Sequence, residues 1–218
     1  MIATRSATLV EAVLEGVLED VRRDRVTRSD AVAPLVTRAV AVLFFTALTA
    51  AAAQISVPLP FTQVPFTFQP TVVLLSGLVL GPRLGLASQV VYLAAGIAGF
   101  PVFAASVTLP PGVGRLLGPT GGYLMSYPLA AFVAGAFSRR GFDRRYLTSI
   151  VAMTLGLVVI YTCGTLWLAY AAVGRTAVGL ATAFATGVAP FVIADVVKLA
   201  AAAGIVPGLW RLIPPSSR

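Results

Sequence analysis

The sequence predicts an all-α integral membrane protein, a bundle of six transmembrane helices with the N- and C-termini both cytoplasmic. Three observations carry this reading. First, 58% of the 218 residues are hydrophobic and 11% are charged, where an ordinary soluble domain carries about a quarter charged residues. So little polar surface cannot cover so apolar a core, and part of the solvent must be lipid. Second, the charges stand at the ends of long apolar runs rather than within them. Third, placing the N-terminus inside puts Arg22, Arg23, Arg25, Arg28, Arg38, Arg83, Arg139, Arg140, Arg144, Arg145, Arg211 and Arg218 inside, and Arg115 and Arg175 outside. The positive-inside rule predicts that asymmetry for six spans, and a different helix count scrambles it.

The elements follow in order. Residues 1–30 read as an amphipathic cytoplasmic segment, with Leu9, Val13, Val17 and Val21 recurring every four residues. The membrane domain is 31–210, and 211–218 form a cytoplasmic tail. The first span is 39–53, ended by the break Gln54-Ile55-Ser56-Val57-Pro58-Leu59-Pro60. The second begins after Pro70 and stops at Gly81-Pro82-Arg83. That is short for a crossing of about twenty residues, unless 64–70 also lie at membrane depth. A third runs from Leu84 to about Gly99, a Gly/Pro-rich loop follows, and the fourth covers about 120–138. The fifth is 147–172. A short apolar helix at 176–188 precedes the last span, 190–207.

Several function classes fall away. The net charge of +8 invites a nucleic-acid reading, but the bases mark helix ends and no nucleic-acid partner is expected. One cysteine, Cys163, allows no intramolecular disulfide. The chain has no histidine, so the Ser-His and Cys-His pairs of a hydrolase, an intramembrane protease included, are missing. No serine stands beside Lys198 at a spacing that makes a Ser-Lys dyad. No enzyme is expected. Glu11, Glu15, Glu19 and Asp20 interrupt any signal-peptide core.

What remains is binding. Asp195 is the only acid within a predicted span and Lys198 the only lysine, three residues apart and so on one helix face. Each isolated charge at mid-membrane costs about 2.5–3.5 kcal/mol on insertion scales. The pair is either a self-neutralising structural element or a polar ligand site, with Asp195 accepting and Lys198 donating. In Val64-Pro65-Phe66-Thr67-Phe68-Gln69-Pro70 the flanking prolines stiffen an extended segment, and Thr67 and Gln69 point to one side of it. It lines a cavity or is an ordinary outer loop. Gly118-Pro119-Thr120-Gly121-Gly122-Tyr123 permits close backbone approach and a Thr cap, without the Lys-Ser/Thr ending of a phosphate loop. Small residues around Ala47 and Ala51 allow another helix to approach closely.

These segments also carry a resemblance. Ile-Ser-Val-Pro-Leu-Pro (55–60), Val-Pro-Phe-Thr-Phe-Gln (64–69), Gly-Pro-Arg-Leu-Gly (81–85), Tyr-Leu-Ala-Ala-Gly-Ile-Ala-Gly-Phe-Pro-Val-Phe (92–103), Gly-Pro-Thr-Gly-Gly-Tyr (118–123) and Asp195-Val-Val-Lys198 together resemble the BioY family over about residues 38–207. These are the biotin-specific S-components, the substrate-binding subunits, of energy-coupling-factor transporters. The resemblance implies a six-helix S-component fold in a bacterial cytoplasmic membrane, with biotin as transported ligand rather than cofactor. It also implies a transmembrane coupling protein and cytoplasmic ATPase subunits as partners, with Ala47 and Ala51 on the docking face. In that setting Asp195 accepts from the ureido N–H groups, and Lys198 meets the ureido carbonyl or the carboxylate. Gln69 and Thr67 add hydrogen bonds, while Tyr92, Phe100 and Tyr123 pack on the apolar body. Between Phe103 and Gly118 the chain departs from the family's polar loop, leaving Ser106 and Thr108 as candidates there. An S-component for another vitamin is the competing reading.

Overall fold

The structure, a computed structural model, describes residues 8–13, 33–106, 109, 112–172 and 177–212. Val17, Val21, Thr108, Arg175 and most of the N-terminal segment lie outside that set. Helix α1 (Ala33–Gln54) begins earlier than the charge pattern predicts, because Arg38 rides on its first turns instead of preceding it. A short antiparallel ribbon follows, β1 (Ser56–Val57) against β2 (Phe66–Thr67), in register Ser56 with Thr67 and Val57 with Phe66.

Helix α2 (Gln69–Ile97) contains the sharpest event of the fold. Gly81 takes φ +78 and ψ 177 before Pro82, a left-handed backbone that a side chain resists. The chain doubles back there. Gln89 Nε2 donates to Ser76 Oγ at 3.1 Å although thirteen residues of straight helix span about 20 Å. The expected second and third spans are therefore the two antiparallel arms of α2, 69–80 and 82–97. Gln89 also donates to Thr49 Oγ1 at 3.3 Å and Ser88 Oγ at 3.1 Å, and Thr46 Oγ1 donates to the Ser88 carbonyl at 2.8 Å. This buried polar knot fastens α1 to the hairpin.

After a short α3 (Val113–Leu117), helix α4 (Gly121–Ser138) packs along the hairpin. A Cβ on Gly77 would collide with the Ala131 carbonyl oxygen, so α2 and α4 touch backbone to backbone, as small residues permit in lipid. A 3-10 turn (Phe142–Arg144) leads to α5 (Tyr146–Leu166), which loosens into a π turn, Trp167–Ala171. Then come α6 (Leu180–Gly187), α7 (Val192–Ala202) and α8 (Ile205–Leu212). Among the described residues four helical stretches are long and apolar enough to cross a membrane: Pro34–Gln54, Gln69–Ile97, Tyr146–Ala171 and Val192–Leu212.

The N-terminal reading needs correction where it is described. Thr8 and Glu11 form a reciprocal capping box, Thr8 N–H to Glu11 Oε2 at 3.1 Å and Glu11 N–H to Thr8 Oγ1 at 3.3 Å. Leu9, Val10 and Ala12 are buried while Val13 is 45% exposed. The inward face is therefore not the Leu9–Val13 stripe. Val10 packs with Phe45 and Leu80, and Glu11 pairs with Arg139 at 3.3 Å.

Candidate functional site

Helix α7 turns Asp195, Leu199 and Ala202 inward at helical spacing, which brings Lys198 onto the same face one turn from Asp195. The two side chains are 5% and 8% exposed and form a direct ion pair through Asp195 Oδ1 and Lys198 Nζ. Each partner has a further anchor. Tyr161 of α5 donates its hydroxyl to Asp195 Oδ2 at 2.5 Å. Lys198 Nζ donates to the Thr67 carbonyl at 2.8 Å and stands 4.2 Å from the Phe66 ring centroid and 5.5 Å from that of Phe68. An ammonium over aromatic faces gains cation–π attraction that is largest where water is excluded. The ribbon, α5 and α7 thus meet at one buried pair of charges.

Beside it stands an aromatic wall. Gln69, 3% exposed, donates Nε2 to the Tyr92 hydroxyl at 2.6 Å, joining the two arms of α2. Tyr92 in turn donates to the Val102 carbonyl at 3.2 Å. Its ring meets Phe103 edge-on at 5.4 Å and stacks on Tyr127 at 6.3 Å. Tyr123, one turn before Tyr127 on α4, donates to the Gly187 carbonyl at 3.0 Å. Arg115 of α3 is buried and donates to the Ala104 carbonyl at 2.6 Å, tying α3 back to the segment that follows Phe103.

Most of the residues singled out by sequence converge here: Asp195, Lys198, Gln69, Tyr92 and Tyr123. Thr67 is present through its backbone carbonyl, while its hydroxyl accepts from the Gln69 N–H at 3.3 Å. Phe100 does not join them. It is 62% exposed beyond the end of α2, and Phe103 occupies the place against Tyr92. Ser106 accepts from the Leu109 N–H at 3.3 Å, a local turn contact. Ala47 and Ala51 both face outward on α1. Sequence reasoning missed Tyr161, Tyr127, Phe103 and Arg115. The four-residue step from Tyr123 to Tyr127 was a readable signal; Tyr161, a hydroxyl within an apolar span, was a fainter one.

Chemically, the cluster offers an acceptor-only carboxylate, an ammonium, a carboxamide and phenols beside a wall of rings. That composition suits a ligand with an N–H-bearing polar head and an apolar body. A separate groove of about 510 Å³ between α4 and α5, lined by Met125, Leu129, Cys163, Trp167 and Tyr170 among others, contains none of these residues.

Comparison with known proteins points the same way. Residues 23–215 match the BioY family. The chain is 46% identical over 161 residues to a probable biotin transporter BioY of Pyrococcus horikoshii, covering 74% of this chain and 88% of that one. It is 39% identical over 169 residues to a biotin transporter BioY of Thermotoga maritima, covering 77% and 92%. The fold superimposes on the crystal structure of the S-component for biotin from an ECF-type ABC transporter with a TM-score of 0.71. That match has 22% identity and covers 86% of this chain and 95% of the other.

Proposed function

Since the chain belongs to the BioY family, a family of multi-pass membrane transport proteins rather than enzymes, we propose that it takes up biotin across the bacterial cytoplasmic membrane as the substrate-binding subunit of an energy-coupling-factor transporter. The observation that carries the proposal is the buried Asp195–Lys198 pair, held by Tyr161 and by the Thr67 carbonyl beside the Tyr92–Phe103–Tyr127 wall. Taking two charges out of water is costly, and their mutual attraction alone seldom repays it. A ligand that hydrogen-bonds both gives the cost a purpose.

Biotin fits the chemistry. An ionised carboxylate accepts hydrogen bonds and donates none, so Asp195 calls for the ureido N–H groups. Lys198 then faces the ureido carbonyl, and Gln69 supplies a further polar contact. Tyr92, Phe103, Tyr123 and Tyr127 pack on the thioether ring and chain. Lys198 holds the ribbon shut through Thr67, so entry from outside requires that hydrogen bond to give way.

Six crossings follow from counting α1, the two arms of α2, α4, α5 and the α7–α8 pair, with both termini cytoplasmic. The arginine distribution supports that orientation. The inward face of α4 is built largely from small residues, Gly, Ala and Ser, with Tyr123 and Tyr127. The outward Ala47 and Ala51 on α1 then form a small-residue face for a transmembrane coupling protein, which would join the subunit to cytoplasmic ATPases.

The test is uptake of labelled biotin by a biotin-auxotrophic bacterium lacking its own transporter and expressing this chain, with an energy-coupling module supplied. Accumulation that excess unlabelled biotin abolishes supports the reading. No accumulation, or accumulation equally blocked by an unrelated vitamin, overturns it in favour of an S-component for a different vitamin.

A further inference from the structure

The groove of about 510 Å³ between α4 and α5 takes no part in the proposed vitamin site. Its shape follows from the seam beneath it. A Cβ on Gly122 would strike the Cys163 carbonyl oxygen and the Trp167 Cβ, and one on Gly156 would meet the Ala130 carbonyl oxygen at 3.0 Å. The two backbones therefore touch at an upper and a lower point. With the helices so close, larger side chains stand out as two ridges, Met125 and Leu129 on α4 and Leu166 and Tyr170 on α5. Each pair is four residues apart and so lies on one helix face. All four side chains are 40–66% exposed.

The floor between the ridges offers water nothing. Ser126 Oγ already donates to the Tyr123 carbonyl at 2.6 Å, and Trp167 Nε1 to the Gly118 carbonyl at 2.8 Å. No charged residue lines the groove, and an ordered water needs about two to four polar partners. The wall Tyr146–Ala171 is long and apolar enough to cross a membrane, so the groove opens on hydrocarbon. It runs from residue 122 to 129 of α4 and from 163 to 171 along α5 and its π turn. That is about 10–12 Å, within one half of a hydrocarbon core about 30 Å thick. Tyr170 stands at one end, as aromatic residues do at the membrane interface.

A second copy of the chain is the poorer occupant. A stable protein interface takes about 20–30 residues a side, and nine line this groove. Helices that pair in lipid approach through small residues, whereas these ridges are Met, Leu and Tyr. A flexible chain fits such ridges, and Met adapts readily to variable partners. We propose that the groove is a binding site for one hydrocarbon chain of a membrane phospholipid, held between the Met125–Leu129 and Leu166–Tyr170 ridges and retained when the surrounding lipid is removed. The assignment does not depend on the biotin reading.

The test uses the full chain reconstituted in vesicles of phosphatidylcholine brominated along one acyl chain, extracted into mild detergent and weighed by native mass spectrometry. Wild type is expected to keep one brominated phosphatidylcholine per chain. Leu129→Ala combined with Leu166→Ala lowers a ridge on each helix, and Cys163→Phe fills the floor; both should appear as bare protein. Leu43→Ala, which truncates a leucine 58% exposed on α1, should keep the lipid. The chain has two tryptophans, so Trp210→Phe leaves Trp167 alone, and its fluorescence should stay quenched by bromine after extraction. Bare wild type, equal retention in the groove variants, unquenched Trp167 with lipid still bound, or a dimer that the groove variants break, overturns the assignment. Should Cys163→Phe not give monodisperse protein, the double alanine variant, which only removes side-chain atoms, makes the same comparison.

Discussion

Lys198 donates to the backbone carbonyl of Thr67, 131 positions away in sequence, at 2.8 Å. The same ammonium pairs with Asp195, so one side chain joins the β1–β2 ribbon to the buried carboxylate of α7. Removing either charge leaves the other buried and unpaired, which costs about 3–5 kcal/mol. Asp195→Asn and Lys198→Met should each lower biotin affinity by at least about a hundredfold and lower the melting temperature in detergent. The double variant separates two roles. It should regain thermal stability, because neither charge remains, and yet fail to bind. Recovery of binding in the double variant would make the pair structural only.

Tyr161 positions the carboxylate by donating to Asp195 Oδ2. Tyr161→Phe should weaken biotin about tenfold, the size of one charge-assisted hydrogen bond. Tyr146→Phe serves as the control. It loses the bond from Tyr146 to the Ala200 carbonyl on the exposed side of the same helix, and binding should not change. Equal effects of the two would remove Tyr161 from the site.

At Gly81 the φ of +78 and the Thr8 methyl group both oppose a side chain. Gly81→Ala should destabilise the hairpin by about 1–3 kcal/mol, read as a fall in melting temperature with biotin affinity retained by the folded fraction. An unchanged melting temperature would contradict the described turn.

Asp143 is fully buried and accepts from Trp210 Nε1 at 2.7 Å, with Arg144 over the indole at 4.5 Å. Burial pushes this carboxyl above its ordinary value of 3.8. The native state therefore keeps the proton to higher pH than the unfolded chain does. Its stability falls as pH rises from the ordinary value through the raised one, and is level above it. Asp143→Asn keeps an acceptor for Trp210 and should flatten that slope in melting-temperature measurements from acidic to neutral pH. Trp210→Phe strands the carboxylate and should cost about 1–3 kcal/mol at neutral pH.

Apolar runs and the Gly81-Pro82 turn were enough to read the long helices, because lipid leaves the backbone few choices, while the short α3 was read as loop. The doubling of α2 was legible in that dipeptide, and the charge pair in the rarity of its residues. The N-terminal turn was misread, since period alone cannot distinguish Val13 from Val10 when the surface they meet is a distant helix hairpin. Phe100 was misplaced for a similar reason. Which of two aromatics near Pro101 faces inward depends on how the chain leaves α2, through Gly99 at φ +94. Tyr161 gave only a faint signal because the carboxylate it meets arrives from another helix, 34 positions along the chain.

The most direct measurement is isothermal titration of biotin into the detergent-purified chain. A biotin site at this charge pair predicts saturable one-to-one binding tighter than micromolar in wild type, lost in Asp195→Asn and Lys198→Met while both remain folded. Micromolar or weaker binding by wild type, or wild-type affinity in both single variants, would contradict it.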